Sequence, residues 1–375
     1  MMNTATARDC IDAAIPLTPN DALHALRRQR DKVVVTSQES YDAIFDPAFD
    51  GLSLAERWLA AYTVAELSHC PRLADHYKAQ LTACEALAEG ARSEALLRFT
   101  RTVAVRPEAA DRHALTALAA VGLDVLDVVL LAQLIGFVAY QARVVLGLAA
   151  LSQLDPSIQD VAVSEDVAFV HPANLPAPGE PVRIQGFTSE ALDWASWLPV
   201  LDVSQASAHQ LAVLKASHPT AIRADYYLLL VQQPRILEAR SAAFNAIMYA
   251  PGGLSRAERE LASTVVSRLN ACVYCASVHA LRFEQISKRN DVIVQVFTDP
   301  AQAGTTARER AIVQAAVALT REPKVFHAAH LQALSAVGLQ ALEILDLIYA
   351  VAVFAWANRL MLNLGEPVFP KVNPN

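Results

Sequence analysis

The chain has 375 residues, 54% of them hydrophobic and 18% charged, with glycine at only 12 positions, well under the usual ~7%. Such a chain is neither disordered nor a disulfide-stapled miniprotein, and it exceeds the ~100–200 residues of one typical domain. With 31 Lys and Arg against 38 Asp and Glu, the net charge is −7, so there is no basic field to collect phosphate backbones and nucleic acid is not an expected partner.

Met1 to Asn20 holds Asp9, Asp12 and an arginine but no continuous apolar core. It reads as neither a secretory signal nor a transit peptide, and a cytoplasmic protein is expected. Ser53 with Glu56 forms a Ser-x-x-Glu capping box that opens a helix. Apolar residues then recur at helical spacing, as in Leu115, Leu118, Val121, Val125, Leu126 and Val129. Val128 to Ala142 is almost wholly apolar but shorter than the ~20 residues of a membrane span, as is Leu347 to Ala357 near the end. No membrane association is expected, and both are read as central helices of a bundle or of an assembly.

The periodicity lapses between Pro156 and Pro181, where four prolines and a glycine crowd one stretch. Three segments follow: a helical domain at 1–155, a Pro-rich linker at 156–185 with a short extended piece at Val182 to Ile184, and a second helical domain at 186–375. The second opens with a helical prelude. Thr188 or Ser189 caps a helix holding Trp194 and Trp197, followed by helices at Gln205–Ala216, Tyr226–Val231 and Pro234–Tyr249.

The two helical segments are copies. Gly51-Leu-Ser-Leu-Ala-Glu-Arg57 recurs with one change at Gly253–Arg259, and Ala120-Val-Gly-Leu123 recurs at Ala336–Leu339. Ser255 with Glu258 repeats the capping box. The second copy has gained residues between the two matches, and one duplicated helical unit explains both.

The chemistry lies in the second copy. Cys272, Cys275 and His279 stand at i, i+3 and i+7 and project from one helix face. Asn270 as N-cap puts Cys272 in the first turn, where backbone N–H groups and the helix dipole favour a thiolate. Glu260, on the preceding helix, is placed to fold back onto His279 and complete a carboxylate, imidazole and thiol relay. A zinc site drawing on His327 and His330 lacks a second paired motif, so no metal and no cofactor are expected. Arg359, near the end of the last apolar helix, either binds a carboxylate substrate or pairs with Asp346 or Glu366.

A glutamate followed twelve residues later by C-x-x-C and then x-x-x-His resembles the signature of the AhpD-like alkylhydroperoxidases of the carboxymuconolactone decarboxylase superfamily. Glu260, Cys272, Cys275 and His279 match it residue for residue, and Asn358-Arg359 with Leu364-Gly365 resembles the ending of its peroxidase-related branch. The resemblance implies an all-α fold, here two tandem AhpD-like helical domains, and homo-oligomers. It implies a thiol peroxidase in which Cys275 attacks the peroxide, Cys272 resolves the sulfenic acid, His279 and Glu260 relay protons, and an external dithiol of thioredoxin or lipoyl type restores the pair. Helix-dipole reasoning from Asn270 favours Cys272 instead as the more acidic thiol. Tyr274 stands where some members carry a second histidine. A lactone decarboxylase or isomerase of the wider superfamily, with a histidine base, and a non-enzymatic redox sensor are the alternative readings.

In the first copy Trp58, Cys70, Leu73 and Tyr77 occupy the positions of Glu260, Cys272, Cys275 and His279. His69, Cys70 and His76 remain, but without the relay acid and the second cysteine this copy reads as structural.

Overall fold

The computed structural model describes residues 9–15, 17–18, 21–84, 90–154, 175–177 and 179–370, so most of the proposed 156–185 linker lies outside the described residues. Two short helices, α1 (Cys10–Ala14) and α2 (Ala22–Arg28), precede the first copy. That copy comprises α3 (Asp31–Ile44), α4 (Leu54–Leu67), α5 (Pro71–Thr82), α6 (Ala91–Val105), α7 (Arg112–Ala119) and α8 (Val125–Leu151). After the linker come a two-residue hairpin, β1 (Arg183–Ile184) with β2 (Phe187–Thr188), then β3 (Asp193–Ser196), α9 (Ala208–Ser217) and α10 (Asp225–Leu230). The second copy comprises α11 (Pro234–Met248), α12 (Arg256–Leu269), α13 (Val273–Ser287), α14 (Asp291–Thr298), α15 (Ala307–Arg321), α16 (Ala328–Ala336) and α17 (Ala341–Asn363), and ends in β4 (Gly365–Val368). The fold is all-α, with four short strands among the described residues.

The copies correspond helix for helix. Both capping boxes form, Ser53 with Glu56 and Ser255 with Glu258. The chain then turns into the next helix through a left-handed residue, His69 at φ 51° in one copy and Ala271 at φ 56° in the other. The residues gained by the second copy lie between α13 and α15 and form α14. Each copy also buries an arginine at an equivalent place on its long helix. Arg143 donates to Ala139 O one turn back and across to Thr320 O on α15. Arg359 donates to Ala355 O and across to Ala104 O on α6. Arg359 therefore pairs with neither Asp346 nor Glu366: each of the two arginines holds a carbonyl of the opposite copy.

The core lies between α8 and α17. These helices run 27 and 23 residues, beyond the apolar stretches read from sequence, and by length and composition both suffice to cross a membrane. Their most apolar windows are 89% and 83% buried inside the chain. Their burial is thus met by their packing on each other and on the surrounding helices, without calling on a second chain. Close approach requires glycine at the contact. A Cβ at Gly136 would overlap the Trp356 indole, whose Nε1 donates to Gln133 Oε1 at 2.9 Å.

One expected helix is absent. The stretch with Trp194 is the strand β3, paired antiparallel with β4 from the chain's end, Asp193 opposite Val368 and Ser196 opposite Gly365. Ser189 caps no helix; its Oγ accepts from the Val182 N–H at 3.1 Å. The pairing anchors Trp194, whose Nε1 donates to Met361 O at 3.1 Å and whose ring meets Tyr226 edge-on at 5.7 Å.

Glu284, in the last turn of α13, is buried with one carboxylate oxygen unpartnered. Burial pushes its carboxyl up to about 7, against hydrogen bonds from Ser189 and the Gly179 backbone that pull it down. A carboxyl raised in the folded state favours folding in its neutral form, so this contribution is full below the ordinary carboxyl range and is lost as pH rises through about 7. Urea unfolding of Glu284→Gln is expected to show a gain on the order of 2 kcal/mol at alkaline pH and almost none at about pH 4. Equal changes at both pH values would refute it.

Candidate active site

Helices α12 and α13 form an antiparallel pair, and their junction sets the site. Asn270 ends α12 as its C-cap instead of opening α13. Cys272 is the N-cap of α13, so Cys275, not Cys272, lies in the first helical turn. The structure thus moves Cys272 from the first turn, where the sequence reading put it, to the cap position, and both cysteines lie at the N-terminal end of α13. The Asn270 amide instead donates to Asn358 Oδ1 at 2.9 Å, and Asn358 Nδ2 donates to Ser267 Oγ at 3.1 Å. Asn358 also hydrogen-bonds the Cys272 thiol.

Glu260, fully buried on α12, accepts from Nδ1 of His279 and from the Arg256 guanidinium one turn back on its own helix. Burial alone would raise this carboxyl, but the charges and hydrogen bonds of His279 and Arg256 outweigh it and hold Glu260 below the ordinary carboxylate range. The anchored imidazole lies edge-on to Phe354, with ring centroids 4.4 Å apart. Its Nε2 has no hydrogen bond among the described residues and is left for a ligand or a water. His279 and Cys275 stand one turn apart on the same face of α13.

Both thiols are free and buried, Cys275 4% exposed and Cys272 1%. Burial pushes the Cys272 thiol well up, and its hydrogen bond to Cys275 and the charge there push it further. A cavity of about 680 Å³ opens over the site. Cys275, His279 and Glu260 line it, and Cys272 does not. The four residues singled out from sequence thus meet, one thiol facing the cavity and the other behind it.

Sequence reasoning missed the opposite wall. Tyr226 on α10 and Arg240 on α11 line the cavity, and neither carries a sequence signal that ties it to α13. Arg256 had one, since it precedes Glu260 by a single helical turn. His327 and His330 stay apart from the cysteines. They cap α16, His327 Nδ1 accepting from Ala329 N at 3.3 Å and His330 Nδ1 from His327 N at 3.3 Å.

At the matching place in the first copy, aromatic packing fills the space. Trp58 stacks on Phe45 with centroids 3.9 Å apart, Tyr77 donates to Gln141, and Leu73 is fully buried. His76 bonds Tyr41 Oη at 2.8 Å, and burial pushes the Cys70 thiol up to about 11. Cys70 is an N-cap like Cys272, so the backbone of the site persists where its chemistry does not.

Among solved structures, the chain is similar to the AhpD core of an uncharacterized peroxidase-related protein from Ralstonia eutropha JMP134, at 23% identity, over 46% of this chain and 98% of that one, with a TM-score of 0.40. No curated protein matches it. Residues 234–318, which carry Glu260, Cys272, Cys275 and His279, match the model of the Carboxymuconolactone decarboxylase family.

Proposed function

We propose that this chain is a thiol-dependent hydroperoxidase working through Cys275 and Cys272. The observation that carries this reading is a cysteine pair with one thiol in a cavity wall, beside an imidazole whose far nitrogen is anchored by a buried, charged glutamate. A decarboxylase or isomerase needs a base there but leaves the pair without a role.

In the proposed reaction the Cys275 thiolate attacks the distal oxygen of a hydroperoxide. A sulfur–oxygen bond forms, the O–O bond breaks, and the leaving alkoxide takes a proton from His279, whose positive charge Glu260 stabilises. The Cys272 sulfur then displaces the sulfenic oxygen, which leaves as water with the Cys272 proton, and a disulfide results. An external dithiol of thioredoxin or lipoyl type returns both cysteines to thiols and is itself oxidised to a disulfide. The raised Cys272 thiol fits the second role, because it stays protonated while Cys275 reacts.

Mass spectrometry after stoichiometric hydrogen peroxide, with and without a sulfenate trap, tests this. The expected products are a Cys272–Cys275 disulfide without the trap and an adduct on Cys275 with it. An adduct on Cys272 would reverse the roles, and unmodified cysteines would end the proposal.

A further inference from the structure

The cavity holds a buried positive charge that the protein itself leaves unanswered. Arg240 is 5% exposed. Among the described residues no carboxylate lies within ion-pair distance of its guanidinium, no acceptor takes a hydrogen bond from it, and its Nε is fully buried without a partner. The other arginine beside the relay, Arg256, is neutralised by Glu260. Arg240 has only aromatic faces for company, with its guanidinium carbon 5.4 Å from the Tyr226 ring centroid, 5.9 Å from Phe244 and 5.7 Å from Trp356. Such contacts recover only part of what desolvating a cation costs. Beside it the Tyr226 hydroxyl is also buried and unpartnered. Arg240 and Tyr226 line the same cavity as Cys275 and His279.

A planar guanidinium without a counterion, next to a spare hydroxyl donor, is the complement of a carboxylate, which accepts two parallel N–H bonds and a third from an O–H. Resting on the hydroperoxidase reading above, we infer that the substrate is an organic hydroperoxide carrying its own carboxylate. Arg240 and Tyr226 hold the carboxylate, and the peroxide end reaches Cys275. The cavity, far larger than hydrogen peroxide needs, leaves room for the carbon skeleton between them. Arg240 is on this account a binding residue for specificity, not a participant in bond breaking.

Binding and turnover are measured separately, so that the two readings fail separately. For binding, octanoate serves as a non-reactive probe, with methyl octanoate as its uncharged partner, followed by calorimetry and by protection of Cys275 from alkylation. The acid is expected to bind and protect at least tenfold better than the ester. Arg240→Gln should erase that preference and Arg240→Lys should restore part of it, with circular dichroism showing both variants folded. For turnover, a fatty-acid hydroperoxide is compared with its methyl ester in the unmodified protein, and the acid is expected to show at least a tenfold lower KM. Acid and ester handled alike, or a preference that survives Arg240→Gln, overturns the carboxylate site while leaving peroxide reduction standing. Selective octanoate binding by a protein that leaves every hydroperoxide intact overturns the hydroperoxidase reading and with it the assignment of a hydroperoxide ligand.

Discussion

Cys275→Ser is expected to lower dithiol-dependent hydroperoxide turnover by at least about 10³-fold, the scale on which removal of a nucleophile acts. Cys272→Ser should behave differently. Its Cys275 still lies in the first turn of α13 at the cavity wall, so it reacts with a single equivalent of peroxide and stalls as a sulfenic acid. The two variants therefore separate in a rapid-mixing experiment: a burst without turnover for Cys272→Ser, and neither for Cys275→Ser. Both substitutions are nearly isosteric at buried positions, and equal unfolding midpoints would show that chemistry rather than folding was lost. A burst from Cys275→Ser with none from Cys272→Ser would exchange the roles, and undiminished turnover in the doubly substituted protein would remove this cysteine pair from the reaction.

Much of this site was legible because its determinants are local. The i, i+3, i+7 spacing along α13 and the capping box that starts α12 each depend on residues within a few turns. The duplication was legible because one capping box and one Ala-Val-Gly-Leu turn recur in order. Errors arose where a residue serves two grammars or answers to a distant partner. Asparagine opens helices and also ends them, and only the left-handed Ala271 after Asn270 decides for the ending. Trp194 and its neighbours read as a helix, yet they form a strand because β4, at the far end of the chain, supplies the partner. Arg359 was matched to acids on or beyond its own helix, while its real acceptor is a carbonyl of the other copy. Arg240 and Tyr226 were invisible for the same reason, since the cavity they share with Cys275 is assembled from elements far apart in the chain, α10, α11, α12, α13 and α17 among them.

Asp346→Ala is expected to destabilise the protein by about 3 kcal/mol, at the lower end of what breaking a buried ion pair costs. Asp346 is 3% exposed on α17. Its Oδ2 accepts from Arg259 at 2.7 Å, from Arg30 at 2.8 Å and from the Leu254 N–H at 3.0 Å, while Oδ1 takes Arg30 Nε at 2.7 Å. The substitution strips the counter-charge from Arg259, itself 1% exposed. The loss is limited because Arg259 keeps the carbonyls of Ala250 at 2.8 Å and Gly252 at 3.2 Å. The first copy shows what such a reduced arrangement looks like. There Leu130 stands where Asp346 does, and the buried Arg57 donates only through Nη1, to the carbonyls of Ile44 and Asp46, while its Nε and Nη2 are buried without a partner among the described residues. Asp346→Leu combined with Arg259→Met should accordingly recover at least half of the lost stability, by replacing the pair with apolar volume. Arg30→Ala should cost less, about 1–2 kcal/mol, because this side chain lies at the edge of the cluster. Denaturant unfolding of the three variants orders these effects, and a change under about 1 kcal/mol for Asp346→Ala would disprove the account. The consequence also reaches the site, because the Leu254 bond fixes the turn that leads into the Ser255 capping box, and α12 carries Glu260 from that box to the imidazole of His279.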